Sequence, residues 1–152
     1  GNRRNAGRRC LEAGRYPGGV GRQHGPGRGL YATYRGAVAV EFSTTGSVRR
    51  LPPGIELAAY RIVQEALSNV QQHAAAGQAW VHVHFDVDHL ALSVRDNGRG
   101  FNPELQPGDS HVGISIMKER AHRIGGLLEI FSTPGAGSEI RLTLGKLFKE
   151  AA

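Results

Sequence analysis

The sequence predicts a two-layer α/β sandwich, in which a mixed β-sheet carries helices on one face. Three observations support this prediction. The chain of 152 residues is long enough for one domain with a core of its own. Apolar residues recur at helical spacing in two segments and alternate with polar residues in others. These segments follow the order strand, helix, two strands, loop, helix, two strands, which is typical of helices that cover one side of a sheet.

The ends of the chain lack such patterns. Residues 1–29 are dense in Gly and Arg, so they cannot bury enough apolar surface to offset the entropy lost on ordering. We therefore assign residues 1–36 to a basic leader that is disordered or foreign to the domain, residues 37–147 to the domain, and residues 148–152 to a tail. The alternative for the leader is a basic arm that contacts an acidic partner.

The net charge of +6 raises the question of a nucleic-acid partner. Residues 1–50 contain ten Arg and two acids, whereas residues 51–152 contain nine Lys or Arg and eleven acids. The basic excess lies at the front without groove-reading or stacking elements, so we expect no nucleic-acid partner. The single cysteine, Cys10, excludes an internal disulfide. No apolar run approaches the ~20 residues of a membrane span. We expect a cytoplasmic, monomeric fragment, and the anchoring of the parent protein stays open.

The first two elements of the domain are a strand and a long helix. Residues 37–42 (AVAVEF) are rich in β-branched and aromatic types and predict a short strand. Pro52 and Pro53 then open a helix that we expect from Ile55 to Ala76. Its apolar residues follow the i, i+3, i+4, i+7 spacing of an amphipathic helix: Ile55, Ala58, Ala59, Ile62, Val63, Ala66, Leu67 and Val70.

Two strands, a loop, a helix and a hairpin follow. Trp80–Val87 alternates strictly, and Leu90–Arg95 is predicted to run back against it after a tight turn. A loop rich in Gly, Pro and Asp extends from Asn97 to Val112. The second helix is expected from Gly113 to Ile124, where Gly125 and Gly126 stop it. The final hairpin consists of Leu127–Ser132 and Glu139–Leu144 around a turn rich in Gly and Pro.

A row of polar side chains lies along one face of the long helix. Glu65, Asn69 and His73 follow at intervals of four residues, which places them on the same side of a helix. An amide oxygen can ligate Mg²⁺, a carboxylate can accept a proton or orient a nucleophile, and an imidazole can meet a phosphate oxygen. The row therefore suits a magnesium–phosphate site, although a solvated helix face has the same pattern.

Further candidate residues follow the strands. Asp96 ends a strand and precedes Gly98 and Gly100, so its carboxylate can accept a hydrogen bond from an exocyclic amine while glycine lets backbone approach a planar ligand. An ordinary strand-to-loop turn is the alternative. Gly113 opens a helix whose free N–H groups suit a phosphate. Residues 106–112 before it are a candidate lid. Ser138 begins the last strand, where its hydroxyl can assist a purine contact.

In this order the four motifs resemble a known superfamily. Glu65-x-x-x-Asn69-x-x-x-His73, Asp96-x-Gly98-x-Gly100, Gly113 and Gly137-Ser138 resemble the N, G1, G2 and G3 boxes of the gyrase–Hsp90–histidine kinase–MutL ATPases. The stretches IVQEALSNVQQHA, DNGRGF, HVGISIMKERAHRIGG and STPGAGSEIRLTL resemble the sensor histidine kinases that partner LuxR-type response regulators. Among these, HVGISIMKERA is most similar to nitrate/nitrite sensors of the NarX and NarQ type.

The resemblance implies a Bergerat-type ATP-binding fold and a role for each motif residue. It implies that Asn69 ligates Mg²⁺ bridging the phosphates of ATP and that Glu65, the catalytic residue, activates or orients the phosphoacceptor. His73 would face the phosphates, and Gly113 would anchor the lid and the helix N-terminus. On the purine side, Asp96 would bind the adenine amino group, with Gly98, Gly100 and Ser138 beside the nucleotide. Two positions depart from the family pattern: His111 replaces the first glycine of the second box, and Ser138 replaces the usual Thr.

The implied activity is donation of the γ-phosphoryl group of ATP to a histidine on a separate dimerisation hairpin, for relay to a response regulator. His24, the only histidine before the long helix, lies beside Gly and Pro, which do not suit a helix interior. The fragment is therefore not expected to autophosphorylate. An anti-sigma-factor serine kinase of the same superfamily and a degenerate domain used for protein contacts are the alternatives. A metal site at His82, His84 and His89 is disfavoured, because alternating polar residues fit a solvated sheet face.

Overall fold

The computed structural model describes residues 28–34, 38–104 and 109–145. This part of the chain forms one six-stranded sheet in the order β1-β2-β3-β4-β6-β5, with two helices. Strands β2 and β3 are parallel, and the other neighbouring pairs are antiparallel. The predicted mixed α/β sandwich is confirmed. The elements are β1 Arg28–Tyr34, β2 Val38–Gly46, α1 Pro53–His73, β3 Gln78–Phe85, β4 His89–Asp96, α2 Asp109–Arg123, β5 Leu127–Ser132 and β6 Ser138–Gly145.

Both helices cover the same face of the sheet. Strands β3, β4 and β6 turn alternate apolar residues, such as Val81, Leu92 and Leu142, toward this face. They pack against Ile62 of α1 and Met117 of α2, and all five side chains are fully buried. Burial of that much branched apolar surface is the main stabilising term of the fold, because each such side chain contributes roughly 1.5–3 kcal/mol. The apolar residues that gave the strand and helix patterns of the sequence therefore pack together in one core.

Helix α1 begins at the predicted prolines, two residues before Ile55, and ends early. Proline at its first turn needs no hydrogen-bond donor, and the backbone N–H of Glu56 donates to the carbonyl of Pro52 at 2.9 Å. The buried residues Ala59, Ile62, Val63, Ala66 and Val70 lie along one stripe. The helix was expected to reach Ala76 but ends at His73. The physical reason is that Ala75 adopts a left-handed conformation with φ 50°, which stops the helix.

Helix α2 begins four residues before the predicted start. It runs from Asp109, so Gly113 lies inside the helix and not at its N-terminus, which corrects the prediction. Asp and Ser at 109 and 110 are residue types that favour helix starts. Of the expected lid, residues 109–112 are helical, and residues 106–108 lie outside the described part. The predicted stop is confirmed, since the N–H groups of Gly125 and Gly126 donate to His122 and Ala121 in a Schellman pattern.

Strand β1 falls within the predicted leader. Arg28–Tyr34 pairs antiparallel with β2, with an irregularity between Tyr31 and Tyr34. The sequence shows no alternation of apolar and polar residues here, so the strand was not predicted. Backbone hydrogen bonds to a neighbouring strand can form in a segment whose side chains carry no strand pattern. The other leader residues, 1–27 and 35–36, and the tail, 148–152, lie outside the described residues. Strand β2 also extends past its predicted end at residue 42 to Gly46.

The second face of the sheet carries polar and aromatic side chains. One row across it consists of Glu41, Trp80, Arg95 and Glu139 in register, and the Arg95 guanidinium lies 4.7 Å from the centre of the Trp80 ring. In the next row, Ser43 Oγ and Nδ1 of His82 are joined by a hydrogen bond of 2.7 Å. This is the solvated face that the alternation predicts. No helix in the described part of the chain has the length and apolar character needed to cross a membrane.

Candidate functional site

A cavity of about 320 Å³ opens beside the second half of α1. Helix α1, Ile114 of α2, the end of β4, the loop after it and the start of β6 form its walls. Five residues that the sequence singled out line it: Asn69, His73, Asp96, Gly100 and Ser138. The remaining lining is mostly apolar and includes Ala66, Val70, Val94, Phe101, Ile114 and Ile140. An apolar cavity with a few converging polar groups is typical of a small-molecule site.

Asp96 is the most buried polar group of the cavity. Its side chain is 4% exposed, because β4 lies between β3 and β6 at this point. One carboxylate oxygen accepts a hydrogen bond of 2.7 Å from the backbone N–H of Gly98, and the other accepts one from the hydroxyl of Ser138. A carboxylate has about four acceptor positions, so capacity for a further N–H donor remains. Ser138 therefore orients the acid, and its expected place beside the nucleotide stays a prediction.

The glycines after Asp96 meet two different parts of the chain. Gly100 lines the cavity with φ +61°, and a Cβ there would lie 2.1 Å from the carbonyl oxygen of Thr133. Gly98 lies against α1 instead, since its Cβ would be 2.1 Å from the carbonyl oxygen of Ala74. We expected both glycines to make room for a nucleotide. At both glycines the close neighbour is the backbone of the protein itself, and of the two Gly100 alone is part of the cavity lining.

The polar row of α1 divides between the cavity and the contact with α2. Asn69 and His73 line the cavity, and Glu65 lies one turn earlier. A Cβ on Gly113 of α2 would lie 2.5 Å from Oε1 of Glu65 and 3.5 Å from Oδ1 of Asn69. Both oxygens therefore point to the place where α2 passes α1. Gly113 lets the helices approach there, a role that the prediction of a hinge at the helix N-terminus missed.

Comparison with known proteins identifies the family. A family model described as "Histidine kinase-, DNA gyrase B-, and HSP90-like ATPase" matches residues 54–147, which include every residue that lines the cavity. The chain belongs to this family. Membership implies that the domain binds ATP, as the sequence motifs predict. It also confirms the predicted superfamily, because the match contains all four motifs from Glu65 to Ser138.

Among curated relatives, this ATPase domain is similar to sensor kinases. It is 43% identical over 89 residues to the sensor histidine kinase LiaS of Bacillus subtilis (strain 168), covering 59% of this chain and 24% of LiaS. It is 32% identical over 107 residues to the signal transduction histidine-protein kinase/phosphatase DegS of Brevibacillus brevis, covering 70% of this chain and 28% of DegS. The chain thus spans about a quarter of the length of these relatives.

Solved structures show the same fold. The histidine kinase domain of the Erythrobacter litoralis EL346 blue-light activated histidine kinase matches 74% of this chain and 53% of its own, with a TM-score of 0.57 and 22% identity. The Acinetobacter baumannii histidine kinase AdeS matches 72% of this chain and 55% of its own, with a TM-score of 0.60 and 12% identity. At these identities the similarity concerns the fold, and it agrees with the predicted ATP-binding type.

The ATPase domain also uses residues that sequence patterns did not single out. Phe101 lines the cavity, and its backbone N–H donates to Oγ of Ser132 at 2.8 Å. That hydroxyl donates in turn to the carbonyl oxygen of Gly137 at 3.1 Å. Ser132 therefore joins the loop after β4 to the turn between β5 and β6. No local pattern marks such a residue, because its partners lie 31 and 5 positions away in the chain.

Chemically, the cavity of this ATPase domain has two unlike ends. Asp96 and Ser138 at the sheet end form a buried acceptor beside apolar walls, which suits a flat heterocycle with an N–H donor. Asn69, His73 and the neighbouring Glu65 at the helix end supply oxygens and an imidazole, which suit a hard cation and phosphate groups. The arrangement therefore suits a ligand that has a base at one end and charged groups at the other.

Proposed function

We propose that the chain binds Mg²⁺-ATP in this cavity and donates the γ-phosphoryl group to a histidine on a separate dimerisation hairpin, for relay to a response regulator. The observation that supports the proposal is that Asn69 and Asp96, 27 positions apart in sequence, line one cavity. One residue is an amide suited to Mg²⁺ and the other a buried acceptor suited to an amine. Family membership supports the ATP part of the proposal.

At the sheet end, Asp96 would accept a hydrogen bond from the exocyclic amine of adenine. Its orientation by Ser138 and Gly98 N–H supports this role, because a fixed acceptor loses little entropy when a ligand binds. The apolar side chains of Val94, Ile114 and Ile140 would contact the faces of the ring. A guanine carries a carbonyl oxygen where adenine carries the amine, so an acceptor at this position would favour adenine.

At the helix end, Asn69 would ligate Mg²⁺, with Glu65 and His73 beside it. The donor set fits the ion, since Mg²⁺ prefers oxygen ligands and is held in such sites by few protein groups together with substrate phosphates. When bound, the ion would neutralise charge on the phosphates. His73 would hydrogen-bond a phosphate oxygen. Glu65 would accept a hydrogen bond from the ring N–H of the incoming histidine and thereby orient its other nitrogen toward the γ-phosphorus.

Transfer would break the bond between the γ-phosphorus and the oxygen of ADP and form a bond to the histidine nitrogen, with ADP as the leaving group. The protein would contribute position and charge, and no covalent intermediate with this chain is needed. The acceptor histidine would come from the separate dimerisation hairpin that the family resemblance implies. A LuxR-type response regulator as the final partner and a place in the nitrate/nitrite-sensor-like branch rest on the sequence resemblance alone.

Calorimetry with a non-hydrolysable ATP analogue and Mg²⁺ tests the binding site. We expect Asp96→Ala to weaken binding by at least about tenfold, since a charge-assisted hydrogen bond contributes ~1.5–3 kcal/mol. Asn69→Ala should remove most of the dependence of affinity on Mg²⁺. Asn102→Ala is the matched control, because Asn102 is exposed and its side-chain oxygen accepts a hydrogen bond from Glu104 N–H within the same turn. If both site variants bind like the wild type, these roles are wrong.

Incubation with a separately produced dimerisation hairpin and labelled ATP tests the reaction. Transfer to histidine gives a phosphate that is lost in acid and stable in base. The opposite stability would indicate a serine kinase, the enzymatic alternative. Binding without any transfer, in the presence of several hairpins from related kinases, would favour a domain used for protein contacts. Glu65→Gln should lower transfer with little change in nucleotide affinity, because Glu65 lies beside the cavity and not in its lining.

A further inference from the structure

A set of backbone contacts joins the end of α1 to the end of β4. We define this α1–β4 junction by residues 74–78, which follow α1, and residues 97–99, which follow β4. The backbone N–H of Arg99 donates to the carbonyl of Ala74 at 2.7 Å, and that of Asn97 donates to the carbonyl of Gln78 at 3.2 Å. Gly98 fits directly against Ala74. The junction thus connects two elements that carry opposite ends of the cavity.

Asn97 supplies the side-chain contacts of the α1–β4 junction. Its Oδ1 accepts hydrogen bonds from the backbone N–H groups of Gly77 at 3.1 Å and Gln78 at 3.0 Å. Together with its own N–H, Asn97 therefore makes three hydrogen bonds where the chain passes from α1 into β3, one to Gly77 and two to Gln78, the first residue of β3. A single amide oxygen that accepts from two successive backbone N–H groups fixes both the position and the direction of that segment.

The position of Asn97 in the chain gives these bonds a functional consequence. Asp96, the buried acceptor, is the residue directly before it, and His73 ends α1 one residue before Ala74. Asn97 itself is exposed and does not line the cavity. Any change at Asn97 therefore reaches a ligand through the spacing of the two elements and not through a lost contact with the ligand.

We propose that Asn97 is a positioning residue, which sets the spacing between the base-binding end of the cavity at Asp96 and the phosphate-binding end at Asn69 and His73. This inference rests on the proposed function. It predicts that the junction matters most for a ligand that must contact both ends at once, because misplacement of one binding group relative to another reduces the advantage of binding them together. Mg²⁺-ATP is such a ligand, whereas adenosine contacts the base-binding end only.

The test compares these two ligands in three variants by NMR titration, together with hydrogen exchange of the backbone amides. Asn97→Ala should weaken Mg²⁺-ATP binding by about tenfold and adenosine binding by less than about threefold. It should also speed exchange at the amides of Gly77 and Gln78. Asn97→Asp retains the acceptor oxygen and should restore slow exchange and most of the ATP affinity, measured at raised salt to screen the added charge. Asn102→Ala, in a loop outside the junction, should match the wild type.

Three results would overturn the inference. Unchanged exchange at Gly77 and Gln78 in Asn97→Ala would mean that the side chain does not hold the junction. Faster exchange with unchanged ATP affinity would mean that it holds the junction without positioning the site. Equal weakening of ATP and adenosine would indicate general destabilisation. If the wild-type chain binds no Mg²⁺-ATP, the proposed function fails and this inference with it, while the exchange data still report on the junction itself.

Discussion

Gly113→Ala is predicted to move the carboxylate of Glu65, the proposed catalytic residue, without altering its chemistry. The new Cβ would lie 2.5 Å from Oε1 of Glu65, closer than such contacts occur, so the end of that flexible side chain must rotate away. The distance to Oδ1 of Asn69 would be 3.5 Å, an ordinary contact, so Asn69 can stay in place. The substitution therefore separates the two residues: Glu65 is displaced, and Asn69 is not.

The expected magnitudes follow from this geometry. Replacing Gly by Ala inside a helix stabilises it by about 1 kcal/mol, and forcing a side chain off its preferred rotamer costs about 0.5–1.5 kcal/mol. The two terms nearly cancel, so the free energy of unfolding should change by less than about 1 kcal/mol. Removal of a general acid or base slows a reaction by roughly 10²–10⁴-fold. Because Glu65 is displaced and not removed, we expect phosphotransfer to fall by about 10- to 100-fold.

The assay measures transfer to a separate hairpin alongside Mg²⁺-ATP affinity, which should stay within about threefold of the wild type because Asn69 and Asp96 keep their places. Gly54→Ala is the matched control: it is also a helical Gly-to-Ala change, and its Cβ would meet no atom within 4 Å. Normal transfer in Gly113→Ala would refute the role of Glu65. A collapse of ATP affinity in parallel with transfer would refute the separation of Glu65 from Asn69.

Three further predictions concern single contacts. Ser138→Ala should lower the free energy of unfolding, measured with urea, by about 1–2 kcal/mol, since buried Asp96 loses one of its two hydrogen-bond donors. Ser138→Thr keeps the hydroxyl and should keep the wild-type stability. Ala75→Gly should raise the midpoint of thermal unfolding, because the left-handed strain of about 1–2 kcal/mol that it relieves exceeds the entropy cost of glycine. Ala58→Gly should lower the midpoint, because Ala58 lies inside α1 and has no such strain. Burial lowers the pKa of His82 below 6.5, so the folded state holds fewer protons than the unfolded state. Stability should fall as the pH drops below about 6.5, and His82→Gln should reduce that fall in urea midpoints measured between about pH 7.5 and 5.

Sequence patterns predict those elements whose side chains pack against the core. The alternation in β3 and β4 and the apolar stripe of α1 exist because one face of each element is buried. The presence of these elements, and whether each is a strand or a helix, can therefore be predicted from the sequence. Strand β1 cannot be predicted in this way, because it is defined by backbone pairing with β2 and its side chains show no strand pattern. The end of α1 cannot be predicted in this way either. It depends on the left-handed conformation of Ala75. A glycine or asparagine at this position would have indicated a helix end, whereas an alanine does not.

The candidate site was predictable as a set of residues and not as a geometry. Spacing alone left Glu65, Asn69 and His73 compatible with a solvated face, and it is the cavity that distinguishes Asn69 and His73 from Glu65. The Asp-Asn-Gly after β4 has the composition of an ordinary turn. What separates Asn97 from a turn residue is its two partners at Gly77 and Gln78, about twenty positions earlier in the chain. Contacts at such a separation are set by the packing of whole elements.

The glycines of the motifs gain a common explanation from the same packing. Gly98 admits the end of α1, Gly100 admits the turn after β5 through Thr133, and Gly113 admits the polar row of α1. Each of them allows a different segment to approach at a distance that a Cβ would prevent. Glycine at these positions therefore serves the packing of the protein itself, before any nucleotide is present. It follows that a larger side chain at Gly98 or Gly100 changes the shape of the site in the free protein, because backbone must move there. Loss of binding in such variants reports on assembly of the site as much as on contact with the ligand.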